Sequence, residues 1–199
     1  MKLFILLILL LSSLFSQNIP TKKLVYIVSD ISIPFWEIMS KGIKEEASKV
    51  GYSIEVYSSN NSNKTEIENL VKAINNKVDG IVLSPINSSS AVFLLKLAKD
   101  ANIPVVISDI GTDGGEYLSY ISSDNEEGSY RLGKILTSKM KELEIENGTV
   151  GIISIPQERA NGKARTKGFL KALDESNIKS TGIEQQVNFS YEETFDFFN

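Results

Sequence analysis

Leu24-Val25-Tyr26-Ile27-Val28-Ser29-Asp30 is an unbroken apolar run that ends abruptly in a small hydroxyl and an acid. The same form returns in Gly80-Ile81-Val82-Leu83-Ser84-Pro85 and in Pro104-Val105-Val106-Ile107-Ser108-Asp109, and more briefly in Tyr120-Ile121-Ser122-Ser123-Asp124-Asn125. A strand with one wet face alternates apolar and polar side chains. Short runs without that alternation belong to strands covered on both faces, as in a parallel sheet packed between helices. In such sheets ligands bind just outside the carboxyl ends of the strands. The polar tips of these runs therefore stand where a ligand would.

The segments between the runs read as helices. Pro34 fixes the backbone angle at a first helical position. Phe35, Ile38, Met39, Ile43 and Ala47 form the apolar stripe behind it, and Gly51 closes the helix. A strand over 53–57 follows. The next helix carries Ile67, Leu70, Val71 and Ile74 at core-facing spacing, and another carries Ala91, Leu94, Leu95 and Ala98. Residues 111–115 read as a loop and 117–122 as a strand. Asp124 with Glu127 three residues on has the form of a capping box, and the helix it opens presents Leu132, Ile135, Leu136 and Met140. A strand over 149–155, a helix over about 162–175, a strand over 183–187 and a helix from Tyr191 complete the pattern. Repeated strand–helix units imply right-handed crossovers and an α/β fold.

The bulk composition narrows the function. The chain has 199 residues, is 42% apolar and 23% charged, and can bury a core. A net charge of -4 without a lysine or arginine cluster argues against a nucleic-acid surface. Cysteine and histidine are both absent, which removes disulfides, thiol chemistry, the commonest general base and the commonest metal ligand. Lys2, the apolar stretch from Leu3 to Leu11 and the small-residue exit at Ser16 read as a secretory signal over residues 1–16, so a periplasmic location is expected. Phe195, Phe197 and Phe198 crowd the last residues with little to pack against, and a chain cut short is expected from them.

Ile27–Trp36, Asp79–Pro85 and Ile103–Asp109 resemble, in order and spacing, the type I periplasmic binding proteins, and most nearly the ribose-type sugar binders. Ile121–Asn125 followed by Gly128, and Arg165-Thr166-Lys167-Gly168-Phe169, extend the likeness over about residues 24–173. The resemblance implies two α/β lobes with parallel sheets flanked by helices, closing on a small solute. The first lobe would be 24–123 and the second, incomplete here, 124–199. It also implies ligand-contacting roles for Ser29, Phe35, Trp36, Ser84, Asp109, Asp124 and Arg165.

The residues themselves carry part of this. Aromatic faces suit sugars, whose rings are apolar on one face and polar at the rim. Phe35 and Trp36 are neighbours on a helix and point about 100° apart, so core packing is the competing role for either. A carboxylate ending a buried strand, as Asp109 does, can accept bonds from two adjacent hydroxyls; capping its own loop is the alternative. Arg165 sits in the expected first helical turn, where the dipole disfavours a cation, and shares a face with Phe169 and Ala172. It needs a partner, either a ligand or an acid across the lobe. Asp124 is explained as a cap, Asn161 as a cap of the Arg165 helix, and Gln157, Glu158 and Arg159 as a cleft-side loop. Ile33, Ser84 and Ile110 stand where ribose-type members carry asparagine, asparagine and arginine, which points away from ribose.

The expected function is periplasmic binding of a sugar-like solute for an ABC importer, with a transporter permease as partner. The alternative is the sensing domain of a membrane signalling protein of the histidine kinase or diguanylate cyclase type. An enzyme using Asp109 with Asp30 or Asp124 is disfavoured without histidine, cysteine or a G-x-S-x-G elbow. Gly111-Thr112-Asp113-Gly114-Gly115 precedes a strand, not the helix that a phosphate loop requires. A LacI-type repressor shares this fold, but the leader stands where its DNA-binding headpiece would be. No metal, cofactor or nucleic-acid partner is expected.

Overall fold

β1 (Lys23–Val28) is the axis of the molecule: Val25 to Val28 are buried, so it must be flanked by strands and covered by helices on both faces. The structure, a computed structural model, describes residues 22–187 and 189–198; the leader read at residues 1–16 lies outside them. β2 (Ser53–Ser58) pairs with one edge of β1 and β3 (Gly80–Ser84) with the other, both parallel, and β4 (Val105–Ser108) and β5 (Ser119–Ile121) extend the sheet in the order β2-β1-β3-β4-β5. The pairs Val28↔Ser58 and Val28↔Ser84 bring the polar strand ends level with one another. Strand order reverses at β1, so the crevice for a ligand lies beyond the tips of β1 and β3.

Parallel neighbours need crossovers, which α1 (Pro34–Lys49), α2 (Asn63–Asn75) and α3 (Ser88–Asp100) supply. Asn87 and Ser62 cap α3 and α2 by accepting from Ser90 N and Thr65 N. The main core gathers Ile27, Leu70, Leu83, Leu94, Leu95 and Ile107 between the sheet and these helices. Ala91, Leu94, Leu95 and Ala98 all face inward, as their spacing requires. Burying each of these leucines stabilises the fold by roughly 1.5–3 kcal/mol.

A second, smaller unit pairs β6 (Thr149–Ser154) with β7 (Lys179–Gln185) in parallel and carries α4 (Asn125–Glu142) and α5 (Ala160–Glu175). A six-residue helix, α6 (Tyr191–Asp196), follows. The whole is an α/β fold of parallel sheets flanked by helices. Asp124 caps α4 by accepting from Glu127 N at 3.0 Å, while the Glu127 carboxylate pairs with Arg131. No helix among the described residues is long and apolar enough to cross a membrane.

In two helices the stripe read from sequence stands only in part: Met39, Ile43 and Ala47 of α1 and Leu136 and Met140 of α4 face the core as read, and the remaining members do not. In α1 the buried positions are Trp36, Ser40 and Ala47, whereas Phe35 and Ile38 are 50% and 69% exposed. Trp36 packs with Tyr26, Val28 and Ile110, and covering the larger indole removes more apolar surface than covering Phe35 would. In α4, Leu132 and Ile135 are exposed while Gly133, Thr137 and Met140 are buried. The cause is the α4–α5 approach: a Cβ on Gly133 would lie 2.6 Å from the Ala172 Cβ, and one on Gly168 would run into the Glu126 carbonyl. Small residues let the backbones meet, and that contact overrides the apolar stripe. β7 also starts earlier than 183–187, at Lys179.

Gly168→Ala is expected to lower stability by about 1–3 kcal/mol through overpacking. Gly42→Ala, inside α1 with open space around its Cβ position, is expected to raise it by roughly 0.5–1 kcal/mol. Urea midpoints at constant slope check both.

Candidate functional site

Asp109 follows the last residue of β4 with φ of 61°, a left-handed conformation that aspartate tolerates better than most residues. Its backbone is held there on both sides: its N–H donates to Ile121 O at 2.9 Å and its carbonyl accepts from the Tyr120 hydroxyl at 2.9 Å. The carboxylate thereby leaves the sheet at its carboxyl end and faces the smaller unit, where Asn161 Nδ2 donates to Oδ2 at 2.8 Å. Burial pushes the Asp109 carboxyl above its ordinary value, against the opposing pull of the Arg165 and Arg159 guanidinium groups and the Asn161 amide. An acid so placed, with two cations from the facing unit, is suited to receiving hydroxyl donors.

The other sequence candidates fall in different places. Arg165 lies in the second turn of α5, because that helix starts at Ala160; it is exposed, and its Nε donates to Asn125 Oδ1 at 2.7 Å. Asn161 is inside α5, not its cap, and is 4% exposed. Phe35 stands half-exposed at the start of α1, in edge contact with the buried Trp36 at 4.8 Å between ring centroids. Ser29 and Ser84 are both fully buried. Ser84 Oγ sits in a hydroxyl chain, 3.0 Å from Tyr26 OH and 3.2 Å from Ser108 Oγ, under Met39. Asp124 is exposed and occupied in capping α4. Asp109, Arg159, Asn161 and Arg165 are thus gathered, while Ser84 and Trp36 are buried within the larger unit.

Glu66 is the feature that the sequence reading passed over. It lies on α2, 1% exposed, accepting from Ile86 N at 2.8 Å and more weakly from Ser90 Oγ. A signal existed: Glu66, Leu70 and Ala73 are the buried positions of that helix, spaced i, i+4, i+7, so the carboxylate falls on the core stripe. Burial raises the Glu66 carboxyl from 4.5 to about 7, opposed by those two donors and by Arg159. Arg159, 7% exposed, is pulled down by its own burial against Asp109 and Glu66.

A cavity of about 330 Å³ lies on the smaller unit, lined by Leu132, Ile152, Ile155, Phe169, Arg165 and Gln186. It touches Arg165 but not Asp109, and its apolar lining comes from α4, α5 and the end of β6, so the polar cluster around Asp109 remains the better candidate for a hydrophilic ligand. Among the described residues no group of three or more acidic, cysteine or histidine side chains is placed to hold a metal ion.

Comparisons with known proteins agree with this architecture. The model of the periplasmic binding protein domain matches residues 24–197. The ribose import binding protein RbsB of Escherichia coli (strain K12) is 30% identical over 155 residues, 76% of this chain and 52% of that protein. The HTH-type transcriptional repressor PurR of Yersinia enterocolitica is 29% identical over 161 residues, 79% of this chain and 44% of that protein. The chain thus spans about half the length of the relatives that it matches. Among solved structures, the Caulobacter myo-inositol binding protein bound to myo-inositol superposes with a TM-score of 0.79 at 19% identity, over 88% of this chain and 58% of that one.

The Glu66 shift has a signed consequence for stability. The folded value, about 7, exceeds the ordinary value of 4.5, so the folded state holds the proton more tightly than the unfolded state. Its contribution is fully present below about pH 4.5 and is lost as pH rises through 7. Glu66→Gln removes the buried charge, and is expected to stabilise the protein by up to ~3 kcal/mol at pH 8 and by little at pH 4. Urea unfolding of both proteins across pH 4–8 measures the difference.

Proposed function

The chain belongs to the periplasmic binding protein domain family, and on that premise we propose that it binds a small polyhydroxylated solute, a sugar or cyclic polyol, for delivery to an ABC importer. The five-stranded unit and the smaller unit act as the two lobes, and the site is the seam between them at the carboxyl ends of β1, β3 and β4. The observation that carries this reading is Asp109. A carboxylate held in a left-handed conformation at the tip of a buried strand, facing Arg165 and Asn161 of the other unit, is an arrangement that folding alone does not require.

The chemistry of the seam fits such a solute. Asp109 offers acceptor lone pairs to adjacent hydroxyls, and Arg165 and the Asn161 amide offer donors and an acceptor. Phe35, half-exposed at the start of α1, supplies an apolar face against which C–H-rich ring surfaces pack. Ile110, fully buried beside Trp36, replaces a polar wall with an apolar one behind Asp109. The site binds and releases its solute. The import role is supported by the match to a ribose import binding protein, and a periplasmic location goes with that role, in keeping with the leader read at residues 1–16.

Thermal-shift screening of the full-length protein against D-ribose, D-allose, D-glucose and myo-inositol is expected to give at least one rise of several degrees. Asp109→Asn keeps the left-handed backbone but loses the charge. That variant and Arg165→Ala are each expected to weaken binding by about a hundredfold, with unfolding midpoints close to the parent. Unchanged affinity in both variants would remove this site from consideration.

A further inference from the structure

Sulfur chemistry in this chain is confined to methionine, because cysteine is absent and the methionines are Met1, Met39 and Met140. The two among the described residues stand in different surroundings. Met140 is 7% exposed and packed with Leu173 and Ile178 in the core of the smaller unit. Met39, on α1, is only half-buried and lies against the cluster of Tyr26, Val28, Trp36 and Ile110, the last of which follows Asp109 directly.

Three hydroxyls converge on the Met39 sulfur. Ser108 Oγ donates to Sδ at 2.9 Å and Tyr26 OH at 3.3 Å, and Ser84 Oγ lies at 3.9 Å. The same groups bond one another, Tyr26 OH with Ser84 Oγ at 3.0 Å and Ser84 Oγ with Ser108 Oγ at 3.2 Å. Burial pushes the Tyr26 hydroxyl up to about 12, opposed by the Ser84 bond and reinforced by the Asp109 charge, so it stays a protonated donor. A thioether is a weak acceptor and matches such a set of donors poorly. The oxygen of a sulfoxide is a polar acceptor and would match it well. Space is the cost. An oxygen added on the side of these donors has no room unless Ser108 gives way, and Ser108 is joined directly to Asp109.

We propose that Met39 is an oxidation site that takes one oxygen from a hydroperoxide, and that its sulfoxide weakens solute binding by displacing Ser108 and, with it, Asp109. The effect on binding rests on the reading of Asp109 as the solute-binding acid. With hydrogen peroxide, a sulfur lone pair attacks one peroxide oxygen, and the S–O bond forms as the O–O bond breaks. The departing oxygen takes the electron pair and the proton of the transferred oxygen and leaves as water. Sulfur is thereby oxidised by two electrons and the peroxide reduced by two. Methionine sulfoxides can be reduced back enzymatically, so the modification is reversible.

Hydrogen peroxide is the probe, applied to the full-length protein and followed by peptide mass spectrometry. Met39 is expected to gain its oxygen while Met140 is still unmodified, since susceptibility follows exposure. Trp36, the single tryptophan and a neighbour of Met39, is expected to change its emission in step. For whichever of D-ribose, D-allose, D-glucose and myo-inositol binds the untreated protein, affinity is expected to fall about tenfold on oxidation, as for the loss of one hydrogen bond to a charged group. Met39→Leu, a volume-conserving change, is expected to keep the parent affinity before and after peroxide. Met39→Gln, which brings a polar oxygen to the same place, is expected to weaken binding without peroxide. Ser108→Ala removes the crowded hydroxyl and is expected to make affinity indifferent to oxidation of Met39. Oxidation of Met140 together with Met39, or a Met39 sulfoxide that binds with parental affinity, overturns the proposal. Failure of the solute reading looks different: no solute of the panel binds the untreated protein, yet Met39 is still oxidised first and the Trp36 emission still moves.

Discussion

Everything in this molecule follows from the burial of β1. β1 is covered on both faces and pairs in parallel on both edges, and parallel neighbours require crossover connections in place of tight hairpins. Those crossovers gather every strand's carboxyl end on one side of the sheet. The apolar interior of β1, β3 and β4 thus fixes the fold and also lines up the polar tips that follow Val28, Leu83 and Ser108. The site is a by-product of the core.

The same end of the sheet is where the fold accepts unfavourable groups. Glu66 is buried on a core stripe, Tyr26, Ser84 and Ser108 form a hydroxyl chain under Met39, Asp109 takes a left-handed backbone, and Arg159 is nearly enclosed. The Ser29, Ser59 and Asn161 side chains each bury an oxygen without a hydrogen-bond partner among the described residues. Cores without function seldom concentrate such costs in one place. Away from this end, the core between the sheet and its helices is Leu, Ile, Val and Ala, joined by Tyr57.

Legibility varied with how local the cause was. The strands of the larger sheet, the Asp124 cap and the inward face of α3 follow from run length and spacing within a few residues, and they stand in the structure as read. The exposure of Phe35 and Ile38 on α1 and of Leu132 and Ile135 on α4 was not legible. Whether Phe35 or Trp36 turns inward depends on Ile110, more than seventy positions later, and whether Leu132 packs depends on the Gly133–Ala172 contact. Glu66 was legible in principle, since its spacing to Leu70 and Ala73 marks the buried stripe. An acid at an apolar position is easily passed over when the surrounding pattern is already satisfied.

By itself the sequence determined the α/β architecture, the order of its strands in the chain and the identity of the polar tips, because apolar periodicity and caps act over one or two turns. Only the tertiary structure decided that Asp109 meets Asn161, that Glu66 and Arg159 lie near one another, and that α3 and α5 cap each other through Ser88. Those contacts join segments some fifty to ninety residues apart. Nothing in local pattern encodes them: they exist because two separately folded surfaces arrive at the same seam with unsatisfied groups that fit.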